Sequence, residues 1–147
     1  MQDKLDKKDV QILRYLTEHG RDKISEISNN LGIPRATVFE RMERLRKEGY
    51  IKQYTVKVDY EKIGYPILAY ILINFDFHSD IDQTELAREL GKLENVISAS
   101  VIAGGWDILL MTVHRSMKEL SNFVLGKLRS MEGIEKTLSV PIFDLVK

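Results

Sequence analysis

The chain has 147 residues, of which 44% are hydrophobic and 30% charged, and its 22 basic and 22 acidic residues give a formal net charge of zero. This composition is typical of a soluble globular protein with one ordinary domain or two small ones. Cysteine is absent, which excludes disulfide frameworks and thiolate sites, and the longest apolar run, residues 67–73, is too short to span a bilayer. No N-terminal signal pattern is present, so we expect a cytoplasmic protein.

Charge is distributed unevenly along the chain. Residues 1–64 hold 14 basic and 11 acidic side chains, whereas residues 65–147 hold 8 and 11. We therefore expect only the first half to meet nucleic acid.

Apolar residues at helical spacing predict a first helix that is capped by Asp6 and stopped by Gly20. Its apolar stripe consists of Leu5, Ile12, Leu13 and Leu16. We expect this helix to pack across the back of the next two and to complete a three-helix core.

Residues 23–54 predict two short helices joined by a tight turn and followed by a short β hairpin. Gly32 suits the turn, Pro34 fixes φ at the first position of the second helix, and Gly49 stands where a glycine commonly ends a helix. The apolar stripes are Ile24, Ile27 and Leu31 in the first helix, and Val38, Met42 and Leu45 in the second. This pattern is typical of a DNA-reading helix-turn-helix.

The second of these helices has a basic, solvent-facing side. From Arg35 to Lys57 the chain has seven basic and three acidic residues, an excess of the kind that phosphate contacts require. Residues 51–58 are rich in β-branched side chains and predict a wing, whose lysines can reach phosphates or only be solvated. The candidate DNA-contacting residues are Arg35, Ala36, Thr37, Phe39, Glu40, Arg44, Lys52 and Lys57.

Beyond a junction at residues 59–64, the pattern changes to alternating strands and helices. Asp82 and Ser116 are each followed three residues later by glutamate, which predicts two capped helices. Strands are predicted over residues 66–77, 96–103, 106–114 and 134–146, with Gly104-Gly105 as the hairpin turn between the middle two. The order β-α-β-β-α-β is the ferredoxin-like split βαβ arrangement. The expected fold class is therefore α+β, with a winged helix-turn-helix before a ferredoxin-like domain.

Two helices can cover only one face of a four-stranded antiparallel sheet. The other face must meet solvent or a partner, and we expect a homodimer formed sheet against sheet. The residues expected on that uncovered face are Ile71, Ile73, Val101, Leu109 and Val140.

Motifs along nearly the whole chain resemble those of one regulator family. They are Leu5-Asp6, Asp9, Ile12-Leu13 and Leu16; Thr37-Val38, Arg41-Met42 and Leu45; Gly49-Tyr50-Ile51; and Gly104 with Asp107. By these residues the sequence resembles the Lrp/AsnC (feast/famine) transcriptional regulators. It departs from their pattern at Lys23 and Pro34, where a serine or threonine commonly caps a helix, and at Gln53 and Tyr60, where a wing glycine and a junction proline are common.

The resemblance implies double-stranded DNA as a partner, dimers that assemble further, often into octamers, and an amino acid effector. It implies a DNA-binding domain over residues 1–64 and a RAM/ACT-like effector-binding and oligomerisation domain over residues 65–147. Glycines allow close backbone N–H approach to a carboxylate, and a carboxylate can accept from an ammonium. The candidate effector-binding residues are Gly104, Gly105, Trp106, Asp107, Thr137 and Ser139. Alternatively, the glycines form only a turn and Asp107 is an exposed loop charge.

Two further functions stay open at this point. An architectural DNA-binding protein of low specificity would have the same fold, and some proteins similar to this family are haem-pathway decarboxylases. The second option would need His78, His114 or Arg115 to face a cavity. The three histidines lack metal-ligand spacing, and we expect no metal, no cofactor and no catalytic residues.

Overall fold

The computed structural model describes residues 5–146. The chain divides into two compact units, one up to Lys57 and one from Val58 onward. None of the described helices is long and apolar enough to cross a membrane.

The first unit is a three-helix bundle whose helices begin and end at local signals in the sequence. They are α1 (Lys7–Glu18), α2 (Ile24–Leu31) and α3 (Arg35–Lys47). Asp6 and Asp9 cap α1 reciprocally, each accepting a 3.0 Å hydrogen bond from the backbone N–H of the other. Gly32 ends α2 with φ of 65°, a conformation that only glycine adopts without strain. The buried core consists of Ile12, Ile27, Ile33, Val38 and Leu45.

Two sequence predictions for this unit are wrong in detail. Pro34 is the residue before α3, with φ −55° and ψ 142°, rather than its first helical residue. The predicted strand and hairpin over residues 51–58 are not formed in the described part of the chain. Side chains there favour strands, but none of the described strands pairs with this segment, and Val56 is 79% exposed.

The second unit is a four-stranded antiparallel sheet with helices on one face. Its elements are β1 (Ile67–Phe75), α4 (Gln83–Gly91), β2 (Val96–Val101), β3 (Ile108–His114), α5 (Met117–Asn122) and β4 (Ile134–Ile142). The strand order is β2-β3-β1-β4, so the β-α-β-β-α-β prediction is confirmed. Asp82 caps α4 by accepting hydrogen bonds from the N–H groups of Thr84 and Glu85.

The two faces of the sheet differ from the sequence prediction. Ile71 and Ile73 are fully buried under the helices, and Val101 pairs with Ile108, which is also on the helix side. Only Leu109 and Val140 of the predicted set lie on the uncovered face. Strand register places nine apolar residues there: Leu68, Tyr70, Leu72, Leu109, Met111, Val113, Leu138, Val140 and Ile142. β1 is apolar on both faces, so its sequence alternation did not show which face is which.

Two other elements are less regular than predicted. The second long helix continues from α5 into a π-helical turn, Phe123–Lys127, and a 3-10 turn, Leu128–Ser130. The N–H of Leu128 bonds to the carbonyl of Phe123, five residues back, which keeps both side chains buried. The hairpin loop is also wider than a two-residue turn, because Ile102 N–H bonds to the Asp107 carbonyl at 2.8 Å and leaves four residues between them.

Candidate functional site

The N-terminal half of α3 presents its outer side to solvent. Arg35, Ala36, Phe39 and Glu40 are all exposed, and Phe39 is 53% exposed although it is large and apolar. Val38, on the opposite side of the helix, is fully buried. The turn before α3 is fixed by Ser28, whose hydroxyl donates to the Ile33 carbonyl at 2.6 Å. The sequence-predicted contact residues at the start of this helix therefore share one accessible surface.

The C-terminal half of α3 uses its arginines inside the unit. Arg44 donates to Asp9 at 2.7 Å and lies 3.7 Å from Glu48. Arg41 pairs with both Asp6, at 2.6 Å, and Asp9, at 2.9 Å. Asp9 is almost completely buried, so these arginines neutralise a carboxylate that has no access to water. Sequence reasoning placed Arg44 among the DNA contacts, and the structure ties its guanidinium to α1.

The arginines also hold both carboxylates in their ionised form. The Arg41 hydrogen bond lowers the pKa of Asp6 from 3.8 to about 2. Burial alone would raise the pKa of Asp9, but hydrogen bonds from Arg44, the Asp6 backbone and Arg41 outweigh it, and the pKa is lowered. The same contacts raise the pKa values of Arg41 and Arg44. This network fixes α3 to α1 and thereby sets the position of the exposed helix start.

The remaining predicted DNA contacts differ in accessibility. Thr37 is half-buried, whereas Lys52 and Lys57 are exposed on the segment that follows α3. Within the described residues, neither lysine forms an ion pair, and the same holds for Arg35. These three cations are free to meet phosphate.

In the second unit, the loop between β2 and β3 has open backbone donors. Gly104 has φ of 122°, and residues 103–105 are exposed. Across the described part of the chain, none of the N–H groups of residues 103–106 has a hydrogen-bond acceptor. Successive free N–H groups of this kind can bind an anionic group.

Asp107 is placed by β1 and keeps one carboxylate oxygen open. Its Oδ2 accepts from the N–H of Phe75 at 2.9 Å and lies 3.5 Å from the Asn74 amide nitrogen. Its own N–H donates to the Ile73 carbonyl at 3.0 Å. Oδ1 has no partner among the described residues and can accept from an ammonium.

Two residues outside the loop, which the sequence did not indicate, contact it from β1 and β4. Asn74 donates to the Gly105 carbonyl at 3.0 Å, and Lys136 of β4 places its Nζ 5.7 Å from the centre of the Trp106 ring. Asn74 and Lys136 are paired across β1 and β4. Asn74 was detectable as the one strongly polar residue of an otherwise apolar strand, but Lys136 had no local signal.

Thr137 and Ser139 lie farther from the loop than the sequence suggested. They pair with Ile73 and Ile71 of β1, which places them on the helix side of the sheet. Their hydroxyls could reach the loop only if the last strand neighboured the hairpin, and β1 lies between β4 and β3. Both side chains are half-buried.

The residues considered for haem chemistry do not share a cavity. His78 is exposed and bonds to Asp76, whereas His114 is fully buried with its Nε2 2.9 Å from the Thr112 hydroxyl. Arg115 lies against the Tyr65 ring, 5.3 Å from its centre. No group of three or more potential metal ligands occurs among the described residues.

Comparison with known proteins agrees with this architecture. The family model of the Lrp/AsnC ligand-binding domain matches residues 68–147, and that of the winged helix-turn-helix DNA-binding domain matches residues 5–52. A helix-turn-helix transcriptional regulator of Pyrococcus abyssi is 38% identical over 143 residues, covering 97% of this chain and 95% of that protein. The regulator FL11 of Pyrococcus furiosus is 33% identical over 143 residues, covering 97% and 92%.

A solved structure extends the similarity to three dimensions. The transcriptional regulator NMB0573 of Neisseria meningitidis, in complex with L-Met, matches with a TM-score of 0.89 and 28% identity, over 98% of this chain and 93% of that one. The chain is therefore a member of the Lrp/AsnC family of transcriptional regulators, with a DNA-binding helix-turn-helix and a ligand-binding domain.

Proposed function

We propose that this protein is a sequence-specific regulator that reads double-stranded DNA through the start of α3. The observation that carries this proposal is the different use of the arginines along that helix. Buried or capping carboxylates hold Arg41 and Arg44, whereas Arg35 is exposed and has no ion-pair partner among the described residues. We assign DNA binding to residues 1–64 and effector binding and assembly to residues 65–147.

Each exposed side chain on this surface has a role that base-edge chemistry supports. Arg35 can donate twice to guanine, Glu40 can accept from the cytosine amino group, and Ala36 and Phe39 can contact a thymine methyl. Thr37, Lys52 and Lys57 supply phosphate contacts that set the register of the helix in the groove. Arg44 supports this surface from behind through Asp9.

The ligand of the second domain is, in our proposal, an amino acid bound at the loop between β2 and β3. The free N–H groups of residues 103–106 can receive its carboxylate, and Asp107 Oδ1 can receive its ammonium. The L-Met complex of the Neisseria regulator supports an amino acid as the class of ligand. Thr137 and Ser139 are not assigned to this site, because they lie on the helix side of β4 and β1 separates that strand from the hairpin.

Assembly is proposed through the uncovered face of the sheet. Its nine apolar side chains form three rows of three across β3, β1 and β4, and all of them except the buried Val113 would otherwise contact water. A homodimer with two-fold symmetry reads a pseudo-palindrome whose half-sites are separated by whole helical turns. Such dimers can assemble further, up to octamers, and an effector that binds one assembly state better shifts the population towards it. A cytoplasmic location is consistent with this role.

The DNA-binding proposal is tested by selecting bound fragments from genomic DNA and titrating the best site and a random duplex. Arg35→Ala should weaken specific binding by about 1–3 kcal/mol and flatten base preference at one position. Arg46→Ala is the matched control, because Arg46 is an exposed arginine on the same helix that pairs with Glu43 at 3.3 Å. Equal losses on specific and random DNA would show that Arg35 only contacts phosphate, as an architectural protein requires.

The effector proposal is tested with the twenty amino acids at millimolar concentration. Trp106 is the only tryptophan of the chain and lies in the loop, so its emission should report binding, and sedimentation should report assembly. Asp107→Ala should abolish the response. If no amino acid changes either signal, the domain does not bind an amino acid.

A further inference from the structure

Lys136 is a cation whose place in the proposed effector site is not explained by binding of a simple amino acid. Its ammonium lies 5.7 Å from the centre of the Trp106 ring, within the effector loop. No carboxylate of the described chain forms an ion pair with it. The contact with the ring places the exposed side chain at the loop.

The charges in the site can be matched to the groups of a ligand. The α-carboxylate is accommodated by the free N–H groups of residues 103–106, and the α-ammonium by Asp107 Oδ1. These two interactions use every charge of a zwitterion with a neutral side chain. Lys136 is then left over, and a cation without a partner favours a ligand that carries one more negative charge.

Asn74 places this additional cation on the same side of the sheet as the loop. It is paired with Lys136 in the strand register, and its amide donates to the Gly105 carbonyl at 3.0 Å. Asn74 thus ties the loop to β1 at the point where Lys136 emerges from the neighbouring strand. Backbone pairing and the Asn74 hydrogen bond therefore hold the loop beside the strand position of Lys136.

We propose that Lys136 selects an amino acid with a side-chain carboxylate, so that the effector is an acidic amino acid. This inference rests on the proposed function, since it concerns the same loop. Trp106 contributes a flat apolar surface for the aliphatic part of the ligand, and Lys136 holds the distal carboxylate at its edge. The selectivity is therefore between a charged side chain and its neutral amide, which have almost the same shape.

The test is a titration of the full-length protein with L-glutamate, L-glutamine, L-aspartate, L-asparagine and L-methionine, followed by Trp106 emission and by calorimetry. The acids should bind on the order of tenfold more tightly than their amides, as expected for a hydrogen bond to a charged group. Lys136→Gln should remove this preference, Lys136→Arg should keep it, and Lys136→Glu should turn it towards L-lysine. Lys127→Gln, a change at an exposed lysine of the π-helical turn, is the matched control and should leave every affinity unchanged.

The outcomes separate this inference from the proposal beneath it. If amides bind as tightly as acids to the unaltered protein, the inference is wrong while an amino acid effector stands. If Lys136→Gln weakens acids and amides equally, Lys136 binds the α-carboxylate and the inference is again wrong. If none of the five binds, the inference is overturned. The screen of the remaining amino acids then decides whether an amino acid is the effector at all.

Discussion

Asp9 lies buried against Arg44, with 2.7 Å between the carboxylate Oδ2 and the guanidinium Nη2, although 35 residues separate them in the chain. The same carboxylate accepts a hydrogen bond from Arg41 and the backbone N–H of Asp6. One acidic residue at the start of α1 therefore fixes both the cap of that helix and the position of α3. The surface proposed to read DNA depends on this buried contact for its orientation.

The first prediction concerns the stability of this contact. Asp9→Asn should lower the free energy of unfolding of the first unit by about 3 kcal/mol, the low end for breaking a buried pair, because both arginines keep some access to water. Urea unfolding followed by circular dichroism measures the change. Glu43→Gln is the control within the same unit, since its exposed pair with Arg46 should contribute less than about 0.5 kcal/mol.

The second prediction follows from the lowered pKa values of Asp6 and Asp9. Because these carboxylates are ionised more easily in the folded state, their stabilisation is complete above the ordinary aspartate pKa. It should be lost as the pH falls from 3.8 towards the folded value of about 2 for Asp6. Unfolding midpoints measured from pH 5 to pH 2 should therefore fall steeply in the unaltered protein and less steeply in Asp9→Asn. Parallel curves for the two proteins would contradict the assignment.

The third prediction separates Arg44 from Arg35. Arg44→Ala should lower the unfolding midpoint of the first unit, because it leaves a buried carboxylate with one partner fewer. At a temperature where the variant is folded, the ratio of specific to random DNA affinity should be close to that of the unaltered protein. Fluorescence anisotropy on the two duplexes measures this ratio. A collapse of the ratio in a fully folded variant would mean that Arg44 reads a base.

Local signals in the sequence predicted the elements of the fold well. Gly32 ends α2 through its left-handed backbone conformation, and Asp82 begins α4 through a side-chain oxygen that accepts backbone N–H groups. Both boundaries depend only on neighbouring residues and can therefore be predicted from the sequence. The order of strands and helices followed from such boundaries. The sequence did not show which face of β1 packs under the helices. Nearly every residue from Ile67 to Phe75 is apolar, so there is no alternation between apolar and polar residues to mark the buried face.

The candidate sites were predictable only where exposure follows from position on one element. Arg35 and Phe39 lie opposite the buried stripe of α3, and that is visible in the sequence. The pairing of Arg44 was not predicted because its partner Asp9 is on another helix, and Lys136 was missed because the contact with Trp106 joins two elements that β1 separates. Long-range ion pairs and the order of strands in the sheet set these positions, and neither produces a periodic pattern of residues in the sequence.

The fourth prediction concerns the uncovered face of the sheet. Leu72 is the middle residue of one end row, paired with Leu109 on one side and Leu138 on the other. Leu72→Asp should leave the fold intact, because the side chain is only partly buried in the single chain, but should prevent assembly by placing a charge in the interface. Sedimentation at micromolar concentration should show monomers. Leu125→Asp, at an apolar residue that is 53% exposed on the π-helical turn, should leave assembly unchanged.

The last prediction concerns His114, a buried histidine with one unsatisfied nitrogen. Thr112 donates its only hydroxyl proton to the Ala69 carbonyl at 3.0 Å, so it accepts from His114 Nε2–H, and the ring is the Nε2-protonated tautomer. Nδ1 is then a buried acceptor without a partner among the described residues.

Burial lowers the pKa of His114, and the nearby Glu119 offsets this only in part. The unfolded chain therefore binds a proton more readily than the folded one. Stability is complete above the ordinary histidine pKa of 6.5 and is lost as the pH falls from 6.5 towards the lower folded value. His114→Leu removes both the titration and the unsatisfied acceptor, so stability at pH 7 should be unchanged or raised by about 1 kcal/mol, and its fall between pH 7 and pH 5 should shrink. Urea unfolding of both proteins at these two pH values measures the effect, with His78→Leu as the exposed control. A fall of equal size in His114→Leu would show that another group produces it.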